Sequence, residues 1–222
     1  MRCIDRTLRL TPNRSQATDI AQIYTYCLAY AASLFGVEVH SYAVMGNHIH
    51  ELYTDVEGAD PSFRQLKNSL IARAVNKYQG KKGTLWMPSD RGVQVLLDGA
   101  SMLDSYAYVG ANPVKHRLVS QSDQWPGARS RPDDLGKEFV IRRPPWVCAN
   151  LPKEVRLTLT GPPVVAHLGT KDAIRVLEEA VRAKEEAYRR VHQGEAAAYL
   201  GRRRIRRQRV SDQPKGETSV EG

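Results

Sequence analysis

The sequence predicts an α+β fold, and three features of its hydrophobic pattern support that class. Between residues 20 and 35, apolar side chains recur at the three- and four-residue spacing of an amphipathic helix. Residues 37–55 then form two apolar stretches on either side of Gly46 and Asn47, a dipeptide that favours a tight hairpin turn. Helical spacing returns after Pro61. Helices combined with an antiparallel hairpin in this way are typical of the α+β class.

The predicted elements of the first half of the chain run strand, helix, strand, strand, helix, strand, helix. They are Cys3–Leu10, Ile20–Phe35, Val37–Met45, Asn47–Asp55, a helix opened by Pro61, Gly92–Asp98 and Ala100–Asn112. The last helix is expected to stop at Pro113, because a following proline disfavours helical backbone. The first six elements match a ferredoxin-like βαββαβ sandwich, with an antiparallel sheet and helices on one face. This fold hosts many activities, so it does not indicate a function by itself.

The composition changes after Trp125 and predicts a second region. The residues that follow are rich in proline, glycine and charge, which is typical of a linker. Beyond them we predict one strand in Val155–Pro163 and a helix over Lys171–His192. An arginine-rich stretch and a polar tail, which we expect to be disordered, complete the chain. The sequence therefore predicts a domain of residues 1–125 and a basic, mainly helical extension of residues 126–222.

The charge balance limits the classes of partner. The 222 residues include 33 Lys and Arg against 24 Asp and Glu, a formal net charge of +9. A basic balance favours polyanions such as nucleic acid, or an anionic membrane surface. No apolar run is long enough to span a membrane, and the charged N-terminus is unlike a signal peptide. The three widely spaced cysteines form no Cys-x-x-Cys pair, so we expect reduced thiols in a cytoplasmic protein.

Two histidines, His48 and His50, are one residue apart in the second strand of the predicted hairpin. Because side chains alternate along a strand, both should face one side with Leu52, while Ile49 and Glu51 face the other. Two imidazoles at this spacing can converge on one divalent ion. A solvated strand face would show the same spacing, so the pair alone leaves both interpretations open. On the helix-covered side, Glu51 needs either an arginine partner or a place at the sheet margin.

A second group of polar residues lies in the segment Ser105–Val119. On a helix, Tyr108 and Asn112 are four residues apart and share one face. A carboxamide oxygen is an acceptable ligand for a hard divalent cation. A phenol beside such an ion is a candidate nucleophile if the ion or a side chain such as Lys115 activates it. Packing of the tyrosine, and capping of the helix by the asparagine, would account for the same two residues.

The two motifs occur in a specific order. The stretch VMGNHIHEL covers residues 44–52, and YVGANPVKHRLV covers residues 108–119. In this order and at this separation they resemble the single-tyrosine HUH transposases, most closely the REP-associated tyrosine transposases. The resemblance extends over roughly residues 1–130 and implies the same ferredoxin-like fold.

The resemblance also implies a chemistry and a substrate. His48, His50 and Asn112 would bind a divalent metal, Mg²⁺ or Mn²⁺. Tyr108 would attack a DNA phosphodiester, forming a 5′-phosphotyrosine and freeing a 3′-hydroxyl. Substrates of the family are single-stranded DNAs that carry short palindromic hairpins, and its members include monomers and dimers. The chain would thus be a cytoplasmic, DNA-associated endonuclease and strand transferase, with a homodimer as one possible state.

Basic side chains that can meet DNA phosphates form two clusters, and Lys115 adds a cation near the predicted nucleophile. The clusters comprise Arg64, Lys67, Arg73, Lys77, Lys81 and Lys82 in the first, and Arg202, Arg203, Arg204, Arg206 and Arg207 in the second. Such residues bind the backbone without reading sequence, so affinity should fall steeply with salt.

Three hypotheses follow from these observations. The first is a metal-dependent transposase-type nuclease. The second is a nucleic-acid-binding module on the same fold that has lost catalysis and needs no metal. The third is a domesticated chromosomal relative that shares the first mechanism and differs only in its biology. The presence of His48, His50, Asn112 and Tyr108 favours a catalytic protein over the binding module.

Overall fold

The computed structural model describes residues 14–87, 93–191 and 199–207. The helices of these ranges are α1 (Arg14–Phe35), α2 (Asp60–Gln79), α3 (Gly99–Lys115), α4 (Thr170–Val191) and α5 (Gly201–Arg207). The strands are β1 (Val37–Val44), β2 (Ile49–Asp55), β3 (Glu138–Arg142) and β4 (Glu154–Thr158). The α+β class is therefore confirmed. The strand predicted at Cys3–Leu10 lies outside the described residues.

The described strands form two antiparallel pairs, β1–β2 and β3–β4. In the first pair Ala43 is opposite His50 and Val44 is opposite Ile49. The other edge of β1 is covered by a short extended segment, because Ala43 also forms an antiparallel bridge with Arg129. β1 therefore lies between β2 and this later part of the chain.

The strand predicted over Gly92–Asp98 is wrong for residues 93–97, which have no regular structure. The alternating apolar side chains of Val93, Val95 and Leu97 are 51%, 77% and 89% exposed. A strand is stabilised by pairing and by burial of one face. This stretch has the alternation but buries neither face.

Helix α3 continues past the proline that was expected to stop it. Pro113 lies inside the helix, which ends only at Lys115. Arg117 has a left-handed backbone, with φ of 52°. The Leu118 N–H then donates to the Pro113 carbonyl at 3.0 Å, and the Arg117 N–H donates to Val114 at 2.9 Å. This Schellman pattern ends the helix, and the proline costs only one internal hydrogen bond in the preceding turn.

The β1–β2 hairpin is covered by helices on both faces. On one face, α1 and α2 share a buried cluster with Val39 and Ile49. On the other face, Val109 of α3 packs against Ala43. The first cluster also contains Val155 from β4, so residues on both sides of position 125 contribute to one core.

Glu51 forms a buried ion pair beneath the sheet. Its carboxylate accepts hydrogen bonds from Lys67 of α2 and, at 2.8 Å, from the Tyr24 hydroxyl of α1. The Lys67 side chain is 2% exposed and its Nζ lies 4.7 Å from the centre of the Phe63 ring. The partner of Glu51 is thus a lysine rather than the expected arginine, and the carboxylate is compensated inside the core.

We expect Lys67→Met to destabilise the protein by about 3–5 kcal/mol, because removing one partner of a buried pair leaves an uncompensated charge. The double variant Lys67→Met/Glu51→Gln should recover most of that loss, since it removes both charges and keeps an acceptor for Tyr24. Urea unfolding of the three proteins measures the difference. A single variant as stable as the wild type would mean that this pair is solvated in solution.

His40 is a buried neutral histidine on β1. It is 3% exposed, its Nε2 lies 2.7 Å from Thr54 Oγ1, and its Nδ1 contacts Thr160. Burial lowers the pKa of His40 to about 4, although the Thr160 carbonyl partly opposes the shift.

The free energy of unfolding should therefore fall as the pH drops from about 6.5 towards 4. In that window the unfolded chain binds a proton at His40 that the folded chain resists, and the maximum loss is about 3 kcal/mol. Unfolding of His40→Gln, compared with the wild type at several pH values, should show a shallower slope. A slope for His40→Gln equal to that of the wild type would mean that His40 does not cause the loss of stability.

Within the described ranges, no helix combines the length and apolar character needed to cross a bilayer.

Candidate functional site

The two histidines lie together at the start of β2. The ring centres of His48 and His50 are 4.8 Å apart, with ring planes at 87°. Ring centres about 4.5–6 Å apart are expected when two imidazoles bind one ion at about 2.1 Å per nitrogen. The predicted alternation is confirmed, because His50 and Leu52 face α3, whereas Ile49 packs in the core on the other face.

A hydrogen bond orients the first imidazole. His48 Nδ1 lies 2.9 Å from the side-chain oxygen of Asn47, the residue before it. An acceptor oxygen at this distance places the ring proton on Nδ1 and leaves the lone pair on Nε2. The main chain of His48 is also held, because its carbonyl accepts from the Met45 N–H at 2.8 Å across the turn.

Helix α3 brings the second motif to the histidines. The Tyr108 ring centre lies 5.2 Å from that of His50, with the planes at 88°. The His116 ring centre lies 5.7 Å from that of His48. Asn112 is four residues from each of these α3 residues and therefore lies between them on the same helix face. The structure thus brings His48, His50 and Tyr108 together, and the helical period puts Asn112 on the face of α3 that meets them.

Asn112 is fully buried, at 0% exposed. Within the described residues, neither its Oδ1 nor its Nδ2 has a hydrogen-bond partner, and the buried His50 Nε2 lacks one as well. A buried polar group without a partner costs about 1–3 kcal/mol, so such groups are rare unless they serve a ligand. A carboxamide oxygen and an imidazole nitrogen are both acceptable donors to a divalent cation. These residues therefore fit a metal ion.

Burial, and to a smaller extent the neighbouring charges of His48, His116 and Lys115, together lower the pKa of His50 to about 2. The imidazole is consequently neutral at physiological pH. A metal-binding histidine must be neutral, so the ring is ready to bind a cation without first losing a proton.

The hydroxyl of Tyr108 has a cation beside it. Lys115 Nζ donates a hydrogen bond to this oxygen at 3.4 Å and lies 4.7 Å from the ring centre. An ammonium group in this position stabilises negative charge that develops on the phenol oxygen. The phenol of Tyr188 on α4 lies near Tyr108. Burial, with smaller contributions from Tyr108 and Asp104, raises the pKa of Tyr188 to about 12.

The close approach of α4 holds α3 over the histidines. A Cβ placed on Gly110 would lie 2.9 Å from a methyl group of Val181, so only glycine allows this contact between the two helices. Leu177 and Val181 of α4 are buried in one cluster with Tyr106 of α3. At the start of α3, Asp98 caps the helix by accepting from the Ser101 N–H at 2.8 Å.

In the ranges that the structure describes, no group of three or more His, Cys, Asp or Glu side chains is arranged to hold a metal ion. The site described above has a different donor set, in which the third ligand is the carboxamide of Asn112.

The first basic cluster lies on α2 and, for Lys81 and Lys82, just after it; α2 covers the face of the sheet opposite to the histidines. The prediction that Lys67 contacts DNA is wrong, because its side chain is buried and paired with Glu51. Arg64 is partly exposed and pairs with Asp60 at 2.8 Å. The four remaining cations of this cluster are exposed: Arg73, Lys77, Lys81 and Lys82.

The second basic cluster forms α5 and lies on the histidine side of the sheet, since Ile205 packs against Ala43. Its described guanidinium groups are exposed: Arg202, Arg203, Arg204 and Arg207. The side chain of Arg206 lies outside the described residues.

His116 is a site residue that the sequence pattern did not identify. It is exposed at the C-terminal end of α3, where it faces His48. The spacing of four residues from Asn112 would have indicated it, but only on a helix that passes through Pro113.

Comparison of the chain with protein-family models, curated proteins and solved structures finds no match.

Proposed function

We propose that the protein is a metal-dependent endonuclease and strand transferase for hairpin-bearing single-stranded DNA, and that Tyr108 is its nucleophile. The observation that carries the proposal is the buried Asn112 carboxamide, whose two polar atoms have no partner in the described residues. It lies four residues from Tyr108, whose ring packs against His50.

His48, His50 and Asn112 would hold the cation through two ring nitrogens and one carboxamide oxygen. When bound, Mg²⁺ or Mn²⁺ would polarise the scissile phosphate and offset its charge. The neutral state of His50, which burial enforces, supports this assignment.

In the proposed reaction the Tyr108 oxygen attacks the phosphorus atom. The bond between phosphorus and the tyrosine oxygen forms while the bond to the 3′-oxygen breaks, giving a 5′-phosphotyrosine and a strand with a free 3′-hydroxyl. The phenol proton leaves to solvent, and the departing 3′-oxygen takes a proton from solvent. Lys115 stabilises the phenolate oxygen during attack through its hydrogen bond. Attack by a 3′-hydroxyl on the phosphotyrosine reverses the step and joins two strands.

The relationship to REP-associated tyrosine transposases and the ferredoxin-like sandwich belong to the same proposal. Its support is the paired motifs and the helix–strand–strand–helix order of α1, β1, β2 and α2. The basic composition and the exposed arginines of α5 support DNA as the partner.

The test is covalent capture of DNA. Hairpin-bearing single-stranded DNA, labelled at its 3′ end, is incubated with the protein and Mn²⁺ and separated under denaturing conditions. We expect a labelled protein adduct, an unlabelled upstream fragment that a polymerase can extend, and loss of both with a chelator. Salt-sensitive binding without an adduct in either Mg²⁺ or Mn²⁺ would instead identify a nucleic-acid-binding module.

A further inference from the structure

The arginine-rich helix α5 is attached to the body of the protein by one buried side chain. Ile205 is 2% exposed, whereas the three arginines before it are exposed. It packs in an apolar cluster with Ala43, Met45 and Val109, which also includes Val119 and Trp125. This helix therefore has a fixed position, unlike a charge run that extends into solvent.

The cluster that receives Ile205 adjoins the histidine site at three points. Ala43 is directly opposite His50 in the strand pair. The Met45 N–H donates to the His48 carbonyl and closes the turn that carries the first histidine. Val109 follows Tyr108 in α3. Three of the residues that share this cluster with Ile205 are thus next to, paired with or bonded to a site residue.

Two main-chain hydrogen bonds fix the start of α5. The Leu200 N–H donates to the Arg117 carbonyl at 2.9 Å, and the Gly201 N–H donates to the Leu118 carbonyl at 2.8 Å. Both acceptors follow His116 directly in the chain. Because a seven-residue helix is only about 10 Å long, the backbone of α5 stays within about that length of these two acceptors.

We infer that α5 forms one wall of the DNA-binding groove and that its arginines bind backbone phosphates flanking the one attacked by Tyr108. This inference rests on the proposed function, which supplies single-stranded DNA as the partner. It adds a defined position and a role for α5. Within the described residues, no carboxylate forms a salt bridge with Arg202, Arg203 or Arg204. Exposed guanidinium groups bind phosphate strongly through paired hydrogen bonds and do not read base sequence.

The α2 cluster does not provide the same wall. It covers the other face of the sheet, where Lys67 is already paired with Glu51. A strand bound at the histidine site is therefore on the face of the sheet that carries α5, not on the face that α2 covers.

The variant Ile205→Ala separates the position of α5 from its charge, because it loosens the helix but keeps every arginine. We expect affinity for single-stranded DNA, measured by fluorescence anisotropy at low salt, to fall by at least about tenfold, as phosphate contacts dominate such binding. Ile205→Leu should restore it. Val165→Ala removes similar packing from a buried site between α3 and α4 and should leave affinity unchanged.

The double variant Arg202→Ala/Arg203→Ala tests the charges. The slope of log affinity against log salt should become shallower by about 1.4, because each phosphate contact with single-stranded DNA contributes about 0.7. The matched control is Arg142→Ala/Arg156→Ala on the β3–β4 hairpin, whose side chains are 84% and 68% exposed. Equal effects of the two double variants would overturn the inference, since any surface arginine would then serve.

All binding is measured in a Tyr108→Phe background, so it requires no cleavage. If the wild type forms no adduct, the proposed nuclease reaction is wrong, but the binding measurements still test the role of α5. Unchanged affinity and salt slope in the α5 variants would overturn the role of α5 even if the adduct forms.

Discussion

Replacing Tyr108 with phenylalanine should abolish the covalent protein–DNA adduct, with a loss of at least about a thousandfold in its rate of formation. The change removes a single oxygen atom and keeps the ring that packs 5.2 Å from His50. DNA affinity should therefore stay within about twofold, because the phosphate contacts that we propose come from other side chains. Denaturing gels measure the adduct, and anisotropy measures the affinity.

Two other tyrosines provide matched controls for this prediction. Tyr106 is buried in a cluster with α4, and Tyr188 of α4 interacts electrostatically with Tyr108. Tyr106→Phe and Tyr188→Phe should both form the adduct. If Tyr188→Phe loses the adduct and Tyr108→Phe keeps it, the nucleophile belongs to α4 and the proposed assignment is wrong.

Asn112→Leu should raise the stability of the metal-free protein and remove its response to metal. The carboxamide is fully buried without a hydrogen-bond partner in the described residues. An apolar side chain of similar size removes that cost, so the free energy of unfolding should rise by about 1–3 kcal/mol. A gain in stability on replacing a buried residue is unusual, since most substitutions destabilise.

Urea unfolding with and without Mn²⁺ measures both effects. A ligand that binds only the folded state raises the unfolding midpoint, and wild type should show this rise. Asn112→Leu should show none, whereas Asn112→Asp should retain it, because a carboxylate is also an oxygen ligand. A leucine variant that is less stable and still responds to Mn²⁺ would mean that the carboxamide has a structural role.

Local pattern was sufficient to predict much of the fold. The period of apolar residues located α1, α2 and α4, and the Gly46–Asn47 turn placed the β1–β2 hairpin. The segment 93–97 has the alternation of a strand but no partner within the described residues, which alternation cannot reveal. Pro113 was expected to end α3, but the end is set by the left-handed residue Arg117, whose conformation depends on the turn that follows.

The grouping of the candidate residues was predictable because they follow two short periods. Alternation in β2 put His48 and His50 on one face, and the four-residue helical period put Asn112 beside Tyr108. The contact between the histidine face of the strand and the Tyr108 face of α3 is long-range. The sequence suggests it only through the order of the two motifs.

Lys67 and Glu51 show where such reasoning fails. The sequence predicts that Lys67 binds DNA phosphate and that Glu51 has an arginine partner or a place at the sheet margin. In the structure the two residues pair with each other. Whether a charged side chain is buried depends on which element packs against it. Neither the strand period nor the helical period contains that information.

The pairing of Glu51 with Lys67 has a consequence for the hairpin as a whole. If β2 slid by one residue against β1, every side chain would change faces. Both imidazoles would enter the apolar core beneath α1 and α2, and the glutamate would leave its lysine uncompensated there. The ion pair therefore adds an energetic penalty to misalignment from the side of the sheet remote from the histidines, so errors in strand alignment that would separate His48 and His50 from α3 are disfavoured during folding.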